Sequence, residues 1–219
     1  MQGYNIKKEN VETVLDKKFI RLYDLHYKEG AHYFDASRRS LDNLVASKSE
    51  DEFKTMLPDA VSCVVVVELP GKEPQLLLSY EYRYPTGRFL LSVPAGLMDP
   101  EDANENEPAK TTAIREIHEE TGITVDLSRD RVEVINPLLF STPGMTDESN
   151  ALVLVVLKLD NLDELTQTGA LGQECFDGFS LVSENEAKEI LKSGVDEHGH
   201  FYSVYTWSAL MYFVSGMWK

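Results

Sequence analysis

Three glutamates, Glu116, Glu119 and Glu120, stand close together near the end of a predicted helix in the segment Arg115–Ile123. Spacings of three and four residues put their side chains on one face of that helix. Carboxylates so close repel one another, and the helix dipole disfavours each acid in the last turn by about 0.3–1 kcal/mol. A divalent cation reverses the sign of these terms. Because the donors are carboxylate oxygens and His118 lies on the opposite side of the helix, Mg²⁺ or Mn²⁺ suits the site better than zinc.

The same segment matches the end of a known pattern, the Nudix box G-x5-E-x7-R-E-U-x-E-E-x-G-U, where U is a bulky aliphatic residue. Glu107 precedes Arg115 by the seven intervening residues of the pattern, and Gly96 is the natural first glycine. The glutamates alone would also fit a solvated acidic helix face, but the matching arginine, glycines and aliphatic residues favour the box. The chain therefore resembles the Nudix hydrolase family.

One departure from the box lies ahead of the helix. Ten residues separate Gly96 from Glu107, where the pattern has five. We interpret the five extra residues, within Pro100–Asn106, as a polar loop insertion. It leaves the metal ligands in place and makes the role of Glu107 harder to assign.

Further segments resemble the ADP-ribose pyrophosphatase-like branch of that family, and together they cover roughly residues 20–215. They are an arginine-containing strand end at Tyr82–Pro85, the turn Pro94–Asp99, Pro137, the loop Ser141–Glu148, and the segment Gln173–Phe176 with its loop glutamate. Ser92 departs from the branch, since many members carry glutamate there. A polar contact to substrate or metal is therefore expected to be absent at this position.

The resemblance implies a set of metal ligands around the helix. Glu116 and Glu120 would be the primary ligands, and Glu119 a further ligand or the group that positions water. The backbone carbonyl of Ala95 would be a neutral ligand, and Gly96, beside it, would contact the substrate.

The resemblance also implies the catalytic groups. Arg115, four residues before Glu119, would orient that carboxylate through a charge-assisted hydrogen bond. Glu174 is the candidate base, because a mobile loop can bring a carboxylate over the nucleophilic water. Surface charge is the alternative role for Glu174, and Glu119 is the alternative base.

The phosphates of a substrate need cationic partners in an acidic protein, and Arg83 and Arg39 are the candidates. Tyr33 and Phe34, just before Arg38 and Arg39, resemble a hairpin segment that stacks adenine in this branch, with Phe34 favoured. A place in the core is the alternative for aromatic residues in a strand. In relatives this hairpin reaches a second subunit, which implies a homodimer with shared sites.

Length and charge limit the domain organisation and the partners. The chain has 219 residues and a formal net charge of −16. We predict an N-terminal arm over residues 1–58, whose β-hairpin dimerises and contacts substrate, and a Nudix hydrolase domain with a C-terminal helix over residues 59–219. The negative charge argues against nucleic acid or an anionic membrane as a partner.

The N-terminal sequence, the apolar runs and the cysteines indicate the cellular compartment to expect. The N-terminus has no apolar targeting segment and no apolar run reaches membrane-spanning length, so we expect a cytoplasmic protein. Two cysteines, Cys63 in a valine-rich run and Cys175 in a polar segment, make a disulfide framework implausible.

The order of predicted elements indicates the fold. An early hairpin is predicted at Phe19–Tyr27 and Ala31–Ser37. Residues 40–57 are weakly patterned, and the charged stretch Lys48–Glu52 is predicted to be a surface connection. The later strands are predicted at Val61–Leu69, Gln75–Tyr82, Phe89–Val93, Val132–Leu139, Ala151–Leu159 and Phe179–Val182. The helices are predicted at Pro108–Gly122, Ser183–Gly194 and Ser203–Trp218. This order predicts an α+β fold, an α/β/α sandwich with a mixed β-sheet, and the resemblance implies the Nudix fold with its loop–helix–loop.

The activity follows from the resemblance. It implies metal-dependent hydrolysis of the diphosphate linkage of ADP-ribose or a related nucleoside diphosphate sugar, giving AMP and ribose 5-phosphate. A GDP-sugar, a dinucleotide or a noncanonical nucleotide is an alternative substrate, because the catalytic half would look the same. Some Nudix domains sense nucleotides without catalysis, but the intact set Glu116, Glu119 and Glu120 favours an enzyme.

Overall fold

The computed structural model describes residues 3–169 and 174–219. The strands are β1 (Val11–Asp16), β2 (Arg21–Lys28), β3 (Ala31–Ser37), β4 (Ala60–Glu68), β5 (Gln75–Arg83), β6 (Arg88–Ser92), β7 (Ala95–Leu97), β8 (Arg131–Phe140), β9 (Ser149–Lys158) and β10 (Phe176–Val182). The α-helices are α1 (Glu50–Thr55), α2 (Pro108–Thr121), α3 (Glu184–Ser193) and α4 (Val204–Ser215). Most of these elements lie within a few residues of their predicted positions, so the predicted α+β fold is confirmed.

The chain divides into two compact units. The first unit consists of Met1–Asp59 and Leu138–Asn150, and the second of Ala60–Pro137 and Ala151–Lys219. The sequence predicts a boundary after residue 58. It carries no signal for the inclusion of Leu138–Asn150 in the first unit, because only tertiary contacts assign that segment.

The first unit contains a three-stranded antiparallel sheet in the order β1-β2-β3. Tyr23, Leu25 and Leu44 form its small core. Strand β1 was not predicted, because five of its six residues are exposed and its sequence has no clear alternation. Helix α1 was also not predicted, and it lies in the weakly patterned residues 40–57. It buries no residue, and its one sequence signal is a capping box from Ser49 to Glu52.

The second unit is built on a sheet whose strands follow the order β10-β5-β4-β9-β8, with β6 beside β5 and β7 beside β4. Strands β4 and β9 are buried along nearly their whole length, as their valine-rich sequences predict. They run parallel, with Leu159 N donating to Glu68 O just beyond one end, whereas β5 pairs antiparallel with β4, β6 and β10. The predicted mixed sheet is therefore confirmed.

Helix α2 packs on one face of this sheet. Its residues Ala113 and Ile117 join the core formed by alternate residues of β4 and β9. The helix begins with Pro108 at its first position and ends at Gly122, whose φ of 75° requires a residue tolerant of left-handed backbone. Both ends agree with the prediction.

Helices α3 and α4 complete the second unit. Ser183 caps α3 through the predicted capping box with Glu186. Helix α4 buries Thr206, Ala209, Leu210 and Phe213, while Trp207 on its other side is exposed. It ends at Ser215 instead of the predicted Trp218, because Gly216 adopts left-handed backbone. Within the described residues, no helix has the length and apolar composition needed to cross a membrane.

Candidate active site

Two of the predicted metal ligands lie one turn apart on α2, against the short strand β7. Glu116 and Glu120 are each about 5% exposed. The Glu120 carboxylate accepts a hydrogen bond of 3.3 Å from the backbone N–H of Ala95. A Cβ at Gly96 would overlap the Glu116 carboxylate, so glycine leaves room for that carboxylate in its present position. The structure thus brings together four residues that the sequence predicted to share a site.

Arg115 holds two of the carboxylates through one nitrogen. Its Nη1 donates to Glu116 Oε1 at 2.8 Å and to Glu119 Oε2 at 3.1 Å. The bond to Glu119 is the contact that the i, i+4 spacing predicts. Arg115 therefore fixes the orientation of both acids through charge-assisted hydrogen bonds.

The other side of the Arg115 guanidinium binds an acid that sequence analysis missed. Asp102 Oδ2 accepts from Arg115 Nη2 at 2.8 Å and from Nε at 3.1 Å, and Thr112 Oγ1 donates to the same oxygen at 3.2 Å. Burial alone would raise the pKa of Asp102, but the hydrogen bonds and charge of Arg115 hold it below its usual value. Asp102 belongs to the extra residues of the box, so this insertion is partly buried and supports the arginine.

Glu81 on β5 is a second acid that the sequence did not single out. It is buried, its carboxylate lies 2.5 Å from Arg83 Nη2, and it shares a hydrogen bond with Ser92. Ser92 is the position at which many branch members carry glutamate. Glu81 of the neighbouring strand therefore places a carboxylate beside Ser92. Its spacing of two residues from Arg83, which puts both on one strand face, was the available signal.

Glu174 lies close enough to three acids of this site to affect their pKa values. Its charge contributes to raising the pKa of Glu81, Glu116 and Glu120. The neighbouring Gln173 lies outside the described residues. Glu174 stands two residues before the first residue of β10. Strand β10 pairs with β5, and Phe176 lies opposite Glu81, which brings the distant Glu174 near that acid.

These five acids, Glu81, Glu116, Glu119, Glu120 and Glu174, form what we call the carboxylate cluster. Burial and the charges of Glu119 and Glu174 raise the pKa of Glu116 to about 7, against the lowering effect of Arg115. Burial and the neighbouring acids raise the pKa of Glu120 well above its usual value. Burial likewise raises the pKa of Glu81, although Arg83 and Ser92 oppose this. Ionising these carboxylates together therefore carries a cost that a bound cation would offset.

The donor set fits the predicted Mg²⁺ or Mn²⁺, because it consists of carboxylate oxygens beside a turn of backbone. His118 faces away from the cluster and contacts Thr124. Glu107 is also outside it, since its carboxylate pairs with Lys110 at 2.7 Å. The residues that would hold the ion are Glu116 and Glu120, with Glu119 once Arg115 releases its contact and with the backbone at Ala95.

The predicted base and phosphate contacts of the hairpin belong to the first unit. Phe34 is 55% exposed, as a stacking surface requires, whereas the Tyr33 hydroxyl donates to Gly144 O at 2.6 Å. The Arg39 side chain is only 13% exposed and its Nη2 lies 2.9 Å from Asp59. A phosphate at Arg39 would have to displace that carboxylate. Arg83, in the second unit, is 44% exposed and is the more accessible arginine.

Comparisons with known proteins bear on the fold and on the site. Residues 56–204 match the model of the NUDIX domain. Nudix hydrolase 2 of Caenorhabditis elegans is 39% identical over 97 residues, which are 44% of this chain and 39% of that protein. The ADP-ribose pyrophosphatase of Saccharomyces cerevisiae is 25% identical over 199 residues, which are 89% of this chain and 77% of that protein. The chain thus spans about two fifths of the length of the nematode relative and most of the yeast one.

A solved structure supports the architecture. The crystal structure of an ADP compounds hydrolase superposes with a TM-score of 0.58 and 21% sequence identity, covering 100% of this chain and 95% of that chain. At this identity the likeness concerns the fold alone.

Proposed function

The chain belongs to the Nudix family, and on this premise we propose that it is a pyrophosphohydrolase that cleaves the diphosphate linkage of ADP-ribose or a related ADP-sugar, with Mg²⁺ or Mn²⁺ as cofactor. The observation that carries the proposal is the carboxylate cluster, in which the buried acids Glu116 and Glu120 of α2 and Glu81 of β5 lie near the exposed Glu174. The products would be AMP and a sugar phosphate, which is ribose 5-phosphate for ADP-ribose.

The substrate class is supported by the relatives. The yeast protein that matches most of this chain is an ADP-ribose pyrophosphatase. The murine relative, matched over 64% of this chain, is an ADP-sugar pyrophosphatase. The sequence features that resemble this branch, among them Pro137 and Arg83, are not required by a metal site alone.

The chemistry requires a water oxygen to bond to one phosphorus while the bridging oxygen leaves with the other phosphate. A divalent cation bound by Glu116 and Glu120 would offset the charge on the diphosphate oxygens. Arg83 would bind a phosphate, and Arg115 would keep Glu119 oriented. Glu174 would accept the proton of the attacking water. Glu81 would hold Arg83 in place through the ion pair between them.

A substrate panel tests the proposal. We expect ADP-ribose or a close ADP-sugar to be hydrolysed faster than nucleoside triphosphates, with AMP as a product. Phe34→Ala should raise the Michaelis constant roughly 5- to 150-fold, because loss of stacking on a base costs about 1–3 kcal/mol. Measurement of released AMP and sugar phosphate over a range of substrate concentrations gives both results.

Phe34→Tyr is the matched control, since it keeps the aromatic ring, and its Michaelis constant should stay near that of the wild type. Much faster cleavage of nucleoside triphosphates than of ADP-ribose would contradict the substrate class while leaving the family unaffected.

We further propose that the chain forms a homodimer. In the first unit, large apolar side chains are exposed around the turn between β1 and β2, namely Val14, Leu15, Phe19 and Ile20. A second copy of the chain would cover them. The resemblance implies such a subunit contact for the predicted hairpin Phe19–Ser37, which begins beside these residues. Light scattering at micromolar concentration should give the mass of a dimer, and Phe19→Glu should shift it toward a monomer. A monomeric wild type would refute the proposal.

A further inference from the structure

The sheet of the first unit carries a group of acidic and imidazole side chains on one face. Glu12 of β1 lies directly opposite Asp24 of β2, and His26 of β2 lies directly opposite His32 of β3. Asp24 and His26 are two residues apart in one strand, so their side chains point to the same face. Three strands therefore present Glu12, Asp24, His26 and His32 together, and we call these residues the hairpin cluster.

Distances within the hairpin cluster suit a shared ion. Asp24 Oδ2 lies 2.8 Å from His32 Nδ1 and 3.4 Å from His26 Nε2. One donor atom from each of Asp24, His26 and His32 lies within 4.8 Å of the others. Glu12 Oε2 lies 3.9 Å from His26 Nε2.

The burial of Asp24 is an independent observation that points to a ligand at the hairpin cluster. Asp24 is 8% exposed. Its Oδ1 and the Nε2 of His26 are buried, and neither makes a hydrogen bond with any residue in the described ranges. A buried carboxylate oxygen without a partner has lost its hydration, which lowers the stability of the folded state. The acid placed directly across from it, Glu12, adds like-charge repulsion.

We propose that Asp24, His26 and His32 bind a transition metal ion, with zinc the best fit and Glu12 as the fourth ligand. Two imidazoles with one or two carboxylates are a common donor set for Zn²⁺, which prefers four ligands. The ion would bind the unpartnered Nε2 of His26 and the carboxylate of Asp24, and it would link β1, β2 and β3. This donor set differs from the oxygen-only carboxylate cluster, and the proposal does not depend on the proposed hydrolysis.

Zinc binding by the full-length chain tests this proposal. The chain, prepared without a histidine tag and stripped with a chelator, is dialysed against Zn²⁺ in excess Mg²⁺ to occupy the carboxylate cluster. We expect one zinc ion per chain that Mg²⁺ does not displace, and a rise in the unfolding temperature when zinc is added. His32→Gln should weaken zinc binding on the order of 100-fold. Loss of a residue that only hydrogen-bonds to a metal ligand already lowers metal affinity about 10–100-fold. Its side chain is half exposed, so folding should be kept.

A second probe and a control separate this site from others. Cu²⁺ bound to the chain should show nitrogen coupling in its electron paramagnetic resonance spectrum, and His26→Gln should reduce that coupling. His198→Gln, which alters an exposed histidine of the second unit, should leave both measurements unchanged. Zinc binding that is equally strong in wild type, His32→Gln and His26→Gln, or the absence of zinc binding by the wild type, would overturn the proposal.

Discussion

Glu120→Gln is expected to lower the rate of ADP-ribose hydrolysis by orders of magnitude. Glutamine keeps the shape of the side chain and can still accept from the Ala95 N–H, but it removes the charge that would hold the cation. The loss should be measured as kcat at saturating substrate across a magnesium titration. Glu189→Gln, which neutralises an exposed acid on α3, should retain wild-type kcat.

We do not expect Glu120→Gln to lose activity by unfolding. The pKa of Glu120 predicts how the substitution affects stability. Burial raises that pKa well above its usual value, so the folded state binds a proton more tightly than the unfolded state. Stability is therefore lost as the pH rises above the ordinary glutamate pKa. Without metal at pH 8, Glu120→Gln should unfold at a temperature at least as high as the wild type. Near-normal turnover of this variant at limiting magnesium would contradict the metal-site assignment.

Glu174→Gln is expected to reduce kcat roughly 100-fold or more while leaving the Michaelis constant within a few-fold, because a base acts on the attacking water in the transition state. Steady-state kinetics with ADP-ribose separate the two constants. Asp177→Asn is the matched control, since it removes an exposed acid three residues away. An unchanged kcat in Glu174→Gln would return the base role to Glu119.

The two expected losses have different physical origins. Glu120 is buried on a rigid helix, and its removal would take away charge that binds the cation. Glu174 stands on the exposed segment before β10, and its removal would take away a group that acts on water. A metal titration distinguishes them, because excess Mg²⁺ should partly restore Glu120→Gln and leave Glu174→Gln unchanged.

The sequence by itself determined the elements with strong local signals. Pro108 and Gly122 marked the ends of α2, and Ser183 with Glu186 marked the start of α3, because caps and left-handed positions depend on single residues. The valine-rich runs of β4 and β9 predicted buried strands. The spacing of Glu116, Glu119 and Glu120 placed them on one helix face, since helix geometry alone decides this.

Tertiary structure alone decided which distant side chains meet. Asp102 reaches Arg115 and Glu81 reaches Ser92 through packing and strand register, which the apolar pattern of one segment does not specify. Arg39 illustrates the same limit, because its pairing with Asp59 makes it less accessible than its place beside Phe34 suggests. Asp24, His26 and His32 are ordinary polar strand residues in the sequence. They become a candidate metal site only because antiparallel register sets His26 opposite His32, with Asp24 buried beside them.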